Sequence, residues 1–182
     1  MLTRKTASLI GVLAAVAAMG MAASAHTQEK KIKIGVIYDL TGPLAGGGSE
    51  LQYIGAKIVL DQYAKTGVEG YEVEAVYADA QSKPDIAINE AVRLIEREKV
   101  DMLLGFFSSA QCVPVAARVE QLRKFMWITT CVSSAVLENK NYKYVFRPQV
   151  SGDQLGMMTM DFIARNAKGF GKEPGYARRH HT

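Results

Sequence analysis

KIKIGVIYDLTGPLAGGGSELQYIGAKIVLDQY, residues 31–63, starts as a β-branched run, breaks at glycine and proline, and resumes at helical spacing. KIKIGVIYD (31–39) reads as a strand closed by the turn TGPLAGGGS. From Glu50 to Lys65 the apolar residues Leu51, Ile54, Ile58, Val59 and Tyr63 recur at the helical period. Ser49 is the expected N-cap of that helix, and Gly67 and Gly70 its stop.

The pattern repeats downstream. YEVEAVYAD (71–79) predicts a second strand. Ser82-Lys83-Pro84-Asp85 then supplies a cap, a first-turn proline and an early acid for a helix to Glu98 that buries Ile86, Ala87, Ala91, Leu94 and Ile95. VDMLLGFF (100–107) is nearly all apolar, as expected of a strand covered on both faces. A helix around Val113–Arg123, a strand FMWITT (125–130), a short extended piece YKYVFRP and a capped helix from Ser151 follow. Strands alternating with helices at this spacing predict right-handed crossovers and an α/β fold: a parallel sheet flanked by helices in three layers.

Composition narrows the function class. Of 182 residues 48% are hydrophobic and 22% charged, an ordinary globular balance. The net charge of +4 is accounted for by Arg4, Lys5, Arg178 and Arg179 at the two ends, so the body is neutral. It offers no clustered basic face for nucleic acid. Arg4 and Lys5 precede an apolar run from Leu9 to Ala23, closed by Ala23-Ser24-Ala25. These are the three parts of a secretory signal, with cleavage predicted after Ala25 and release into the periplasm. The run is shorter than the ~20 residues of a membrane-spanning helix, and no second long apolar run follows, so the mature chain from His26 is not expected to span a membrane.

In a parallel sheet ligands bind beyond the carboxyl ends of the strands, which selects the loops after Tyr38, Asp79, Phe107 and Thr130. Two of these are rich in small hydroxyl and thiol residues: Ser108-Ser109-Ala110-Gln111-Cys112 and Thr129-Thr130-Cys131-Val132-Ser133-Ser134. Helix capping alone explains one such loop. Two on neighbouring strands suit a carboxylate held by hydroxyls and helix-start N–H groups. Catalysis and metal binding find little support. The only histidines are His26, His180 and His181, so Cys112, Cys131 and the serines lack a histidine base, and no Cys/His metal cluster exists. The glycine-rich turn lacks the motif of a phosphate loop. No catalytic residue, metal or cofactor is expected. Cys112 and Cys131 follow neighbouring strands, which leaves both a free pair and a bridge open.

IKIGVIYDLTGPLAGGGSELQYIGAKIVLDQY, YADAQSKPDIAINEAVRLIE, VDMLLGFFSSAQCVPVAARVEQL and YKYVFRPQVSGDQLG, in that order, resemble the periplasmic branched-chain amino-acid-binding family of ABC transporter components. The resemblance covers about residues 31 to 171 and leans towards members serving aromatic-compound uptake. It implies a type I periplasmic-binding-protein fold of two lobes that close on a small solute and deliver it to permease membrane subunits. The implied solute is a branched-chain amino acid, an amide or an aromatic acid. The family's serine after the third strand falls on Ser108 or Ser109, and its backbone-and-hydroxyl cradle on Cys131, Val132 and Ser133. The usual alanine and threonine of that cradle are Cys131 and Ser133 here. Where the family's first loop bears an aromatic residue, this chain has Gly46-Gly47-Gly48; the gap at Gly47 implies a larger solute, or stacking by Tyr38 or Tyr53.

The same resemblance sets the expected domains: a signal at 1–25, an N-terminal lobe at 26–147, the first helix of an otherwise missing second lobe at 148–171, and an atypical tail at 172–182. A chain truncated in this way is expected to bind weakly, with the apolar face of its last helix exposed. Met157, Met158, Met160 and Phe162 are expected to be helix core or lobe contact. Two further readings are a ligand-sensing module of the same fold and a small exported α/β hydrolase.

Overall fold

The computed structural model describes residues 30–170. The expectations for the signal at 1–25 and for the tail at 172–182 lie outside the described residues. Five strands form one sheet: β1 Lys31–Tyr38, β2 Glu72–Asp79, β3 Met102–Gly105, β4 Phe125–Ile128 and β5 Val145–Phe146. Their order is β2-β1-β3-β4-β5 and every neighbouring pair is parallel. The helices are α1 Glu50–Thr66, α2 Pro84–Glu96, α3 Ser109–Gln121 and α4 Gly152–Asn166. After β1 the chain steps outward to β2, then returns past β1 to β3. That reversal opens a crevice beyond the carboxyl ends of β1 and β3, the usual ligand position in open parallel sheets.

Alternating side chains of the strands build two cores. On one face Ile37, Leu103, Met126 and Ile128 pack with Ala87, Ala91 and Leu94 of α2 and with Val115, Ala116 and Val119 of α3. Full burial of one such leucine contributes about 1.5–3 kcal/mol. On the other face Val36, Tyr38 and Val73 meet Leu60, Tyr53 and Ala56 of α1. The three layers expected from the sequence are present. Gly105, at the end of β3, has φ +133°, and a Cβ there would stand 2.1 Å from the Ile37 carbonyl oxygen. Only glycine lets β3 leave the sheet this close to β1.

Several local expectations change. Ser49 does not cap α1 with its hydroxyl, because a wide turn, Ala45–Ser49, already runs into the helix and the hydroxyl accepts the Asp39 N–H at 2.8 Å. Ser82 does not cap α2: Lys83 holds the N-cap position, and the Ser82 hydroxyl accepts the Leu44 N–H and donates to the Thr41 carbonyl. Helix α3 begins at Ser109, four residues before the expected start. The Ser108 carbonyl accepts the N–H groups of Gln111 and Cys112 and so closes a turn upstream of Pro114. Ile86 is half-buried, on the flank of the α2 stripe that buries Ala87, Ala91, Leu94 and Ile95. Strand β3 is sealed on one face only. Leu103 is buried, but Met102 and Leu104 are half-buried, since α1 packs mainly over β2 and β1.

Helix α4 starts with the predicted cap. The Ser151 hydroxyl accepts the Gln154 N–H, and the Gln154 side chain accepts the Ser151 N–H. Beyond that first turn the helix buries none of its residues, and Met157, Met158 and Phe162 are exposed.

Candidate functional site

Three loops converge at the carboxyl edge of the sheet. The β1 loop is held by two aspartates. Asp39 is fully buried; its N–H donates to Ser49, and its Oδ1 accepts the Ser82 N–H at 2.8 Å and the Gln111 Nε2 at 2.6 Å. One carboxylate thus ties the β1 loop to the β2 loop and to the first turn of α3. Asp79, ending β2, accepts the N–H groups of Leu40, Thr41 and Gln81 and, at 2.6 Å, the Thr41 hydroxyl. Burial works to raise the Asp79 pKa, but the Thr41 hydroxyl and the three backbone donors outweigh it and hold the group below the usual carboxylate range.

Beside this edge, α3 and the loop after β4 form a small cradle. Ser108 is the N-cap of α3 with an extended backbone, and its hydroxyl makes no capping bond. The N–H groups of Ser109 and Ala110, at the start of α3, have no intrahelical acceptor and carry the positive end of the helix dipole. Ser109 is turned inward, where its hydroxyl accepts the Ser133 N–H at 3.2 Å. Ser133 caps a single helical turn, Ser134–Val136, by accepting the Ala135 N–H. Arg147 closes the cradle from β5: one of its guanidinium nitrogens donates to the carbonyls of Cys131 at 3.3 Å and Ser133 at 2.7 Å. The Val132 side chain stays exposed while its carbonyl accepts the Gly152 N–H at the start of α4.

Cys112 and Cys131 lie against each other beneath the cradle, both fully buried with free thiols. Burial pushes the Cys112 thiol up, and its hydrogen bond with Cys131 adds to that. The Cys131 thiol is drawn down by that same hydrogen bond, against its own burial, with help from the Ser109 hydroxyl, the Ser133 N–H and Arg147. The Cys131 side chain therefore points into the core, and what it offers the cradle is backbone.

The aromatic residues divide between two places. Tyr38 is buried on the α1 face, its hydroxyl 3.0 Å from that of Thr129 and its ring edge-on to Tyr53, which is edge-on to Tyr77. Tyr38 also lines an open, mainly apolar cleft of about 380 Å³ with Gln52, Val59, Leu104 and Thr129. Phe107, immediately before Ser108, sits against the wide turn. A Cβ on Gly48 (φ +126°) would stand 3.1 Å from its ring, while Gly46 and Gly47 have nothing within 4 Å of where a Cβ would be.

The fold therefore brings Ser108, Ser109, Cys131, Val132 and Ser133 together, leaves Gly47 on the open turn and sets Tyr38 among the α1-side tyrosines. Sequence reading missed four participants: Phe107, Asp39, Gln111 and Arg147. Phe107 was hidden in an apolar run, and Arg147 lies well downstream of the loops it fastens. In the sequence Gln111 reads only as part of the loop 108–112, and nothing near it in the chain points to Asp39, 72 residues away. Among the described residues no group of three or more His, Cys, Asp or Glu is placed to hold a metal. No described helix is long and apolar enough to cross a membrane.

Comparison with known proteins agrees with this geometry. Residues 31–173 match the family described as periplasmic binding protein. A Leu/Ile/Val-binding protein homologue of Brucella melitensis is 29% identical over 154 residues, which are 84% of this chain and 38% of that protein. A leucine-binding protein of Thermotoga maritima superposes with a TM-score of 0.66 at 28% identity, covering 75% of this chain and 38% of its own. An ABC-transporter solute-binding protein of Rhodopseudomonas palustris, solved with p-hydroxybenzoic acid, gives a TM-score of 0.61 at 26% identity over 75% of this chain and 36% of that one. The chain thus spans well under half the length of these proteins.

Proposed function

This chain belongs to the periplasmic binding protein family, whose members bind solutes and are not enzymes, and from that premise we propose that its cradle receives the carboxylate of a small solute. Residues 26–147 act as one lobe of a two-lobed clamp that loads an ABC permease, and α4 belongs to the second lobe. The bareness of α4, which buries no residue against the sheet, supports that division. The observation that carries the reading is the pinning of the α3 start to the β4 loop by the Ser133 N–H to Ser109 hydrogen bond, with Arg147 holding the carbonyls of that same loop. It leaves the Ser108 hydroxyl and the N–H groups of Ser109 and Ala110 as donors for an anion. A carboxylate suits these donors through charge-assisted hydrogen bonds and the helix dipole.

An aromatic acid is favoured over a branched-chain amino acid or an amide. The Gly46-Gly47 turn leaves room for a ring, and Phe107 offers a face beside it. A Rhodopseudomonas relative holds p-hydroxybenzoic acid. Isothermal titration of the chain with p-hydroxybenzoate and, separately, with leucine tests both parts. Saturable binding of p-hydroxybenzoate is expected, weakened about 10- to 100-fold by Ser108→Ala, the loss of one hydrogen bond to a charged group. Gly47→Trp is expected to reduce it further by filling the open turn. Binding unaffected by both substitutions, with melting temperatures unchanged, would place the solute elsewhere.

A further inference from the structure

We infer that Cys112 and Cys131 form an oxidisable dithiol, a modification site at which an intramolecular disulfide joins the start of α3 to the loop after β4. The site follows from the placement of its two arms. Strands β3 and β4 are parallel neighbours, with Gly105 opposite Ile128, so the segments leaving them run side by side. The Ser133 N–H to Ser109 hydrogen bond fixes those segments to one another two residues beyond Cys131 and three before Cys112. Both side chains are fully buried in the same apolar core. Arg147 donates to the Cys131 carbonyl at 3.3 Å and so sets a guanidinium beside Cys131, which makes it the attacking sulfur. With only two thiols and no third ligand among the described residues, the pair is suited to a sulfur–sulfur bond rather than a tetrahedral metal site.

The oxidant is a small-molecule disulfide such as oxidised glutathione. Cys131 thiolate attacks one of its sulfurs, the reagent's S–S bond breaks, and a glutathione thiolate leaves and takes up a proton. Cys112 then loses its proton and attacks the Cys131 sulfur, displacing the second glutathione thiolate. Two protein thiols lose two electrons and two protons; one reagent disulfide becomes two thiols. Because both sulfurs are buried, exchange proceeds on opening or during folding. The reaction requires no solute, so it stands or falls apart from the carboxylate reading.

The test is refolding of the chain in a glutathione redox buffer, then denaturation, iodoacetamide treatment without reductant, and intact-mass measurement. The expected product carries no alkyl group and is lighter by two hydrogens; prior reduction gives two alkyl groups. A bridge closing a loop of about 20 residues is expected to raise Tm by roughly 6–12 °C over the reduced chain. Cys112→Ser, lacking the resolving thiol, is expected to retain one glutathione on Cys131. Two alkyl groups on the oxidised sample would overturn the inference. So would stable glutathione adducts or disulfide-linked dimers on the unsubstituted chain, or an internal bridge that leaves Tm unchanged or lower.

Discussion

The two faces of the sheet are built by different means. Under α2 and α3 the residues Ile37, Leu94, Leu103, Val115, Val119, Met126 and Ile128 are sealed from solvent. On the α1 face Leu60 is the only residue of the helix that is buried; Leu51 is 74% exposed and Ile58 64%. Farther along that face Trp127 and Phe146 are partly exposed, each stacked on Phe125, at 6.3 and 5.2 Å between ring centres. The first face is stabilised by buried area. The second has its apolar stripe in place without an element over it among the described residues. The lesson is that helical periodicity reports where a helix could be covered, whereas burial depends on what the rest of the fold supplies.

The sharpest way to test the closed face is Gly105→Ala. An alanine Cβ would be forced to within 2.1 Å of the Ile37 carbonyl in a backbone region unfavourable to L side chains. The expected cost exceeds about 4 kcal/mol, enough to leave the chain unfolded by circular dichroism and proton NMR dispersion. Gly47→Ala, with nothing within 4 Å, is the matched control and is expected to stay within about 0.5 kcal/mol of the parent.

Next in size is the contrast between Leu94→Ala and Ile58→Ala. Leu94 is fully buried between α2 and the sheet, so its truncation is expected to cost about 2–5 kcal/mol in urea unfolding, transfer and cavity terms together. Ile58 lies on the open stripe, and its truncation is expected to cost less than about 0.5 kcal/mol. Equal costs would mean that α1 is covered in solution and that the two faces do not differ.

The same contrast explains what was legible in the sequence. Strands β1 and β2, α2, the capping box of α4 and the parallel architecture follow from local periodicity and punctuation, which a single segment carries within itself. The caps at Ser49 and Ser82 were misjudged for a common reason. Each hydroxyl is taken by the β1 loop, a contact 10 residues away for Ser49 and 38 for Ser82. The α3 start lies four residues before the expected one because the Ser108 carbonyl closes a turn upstream of Pro114. Serines 108 and 109 stood out by composition. Arg147 did not, since nothing near it in the chain announces a fork aimed at the carbonyls of residues 131 and 133. Site features that depend on a partner far along the chain were the ones missed.

If the α1 face has little buried area, the loop at its carboxyl edge must be held by other forces, and Asp79 is where they concentrate. Its four donors, all from the loops after β1 and β2, make Asp79→Asn the expected edge counterpart of Leu94→Ala. Asparagine keeps one acceptor oxygen but cannot accept the Thr41 hydroxyl at the other position. With the side chain partly exposed, a cost of about 1–2 kcal/mol at pH 7 is expected. The pH dependence separates a carboxylate effect from a change of shape. Because the folded-state pKa is depressed, the stabilisation is complete above the unfolded value of ~3.9 and is lost as pH falls through the lower, folded value. Urea titrations at stepped pH should therefore show the parent and the Asn variant separated at neutral pH and converging in strong acid. A gap independent of pH would assign the cost to packing. The edge of the open face would then be held by the same means as the closed one.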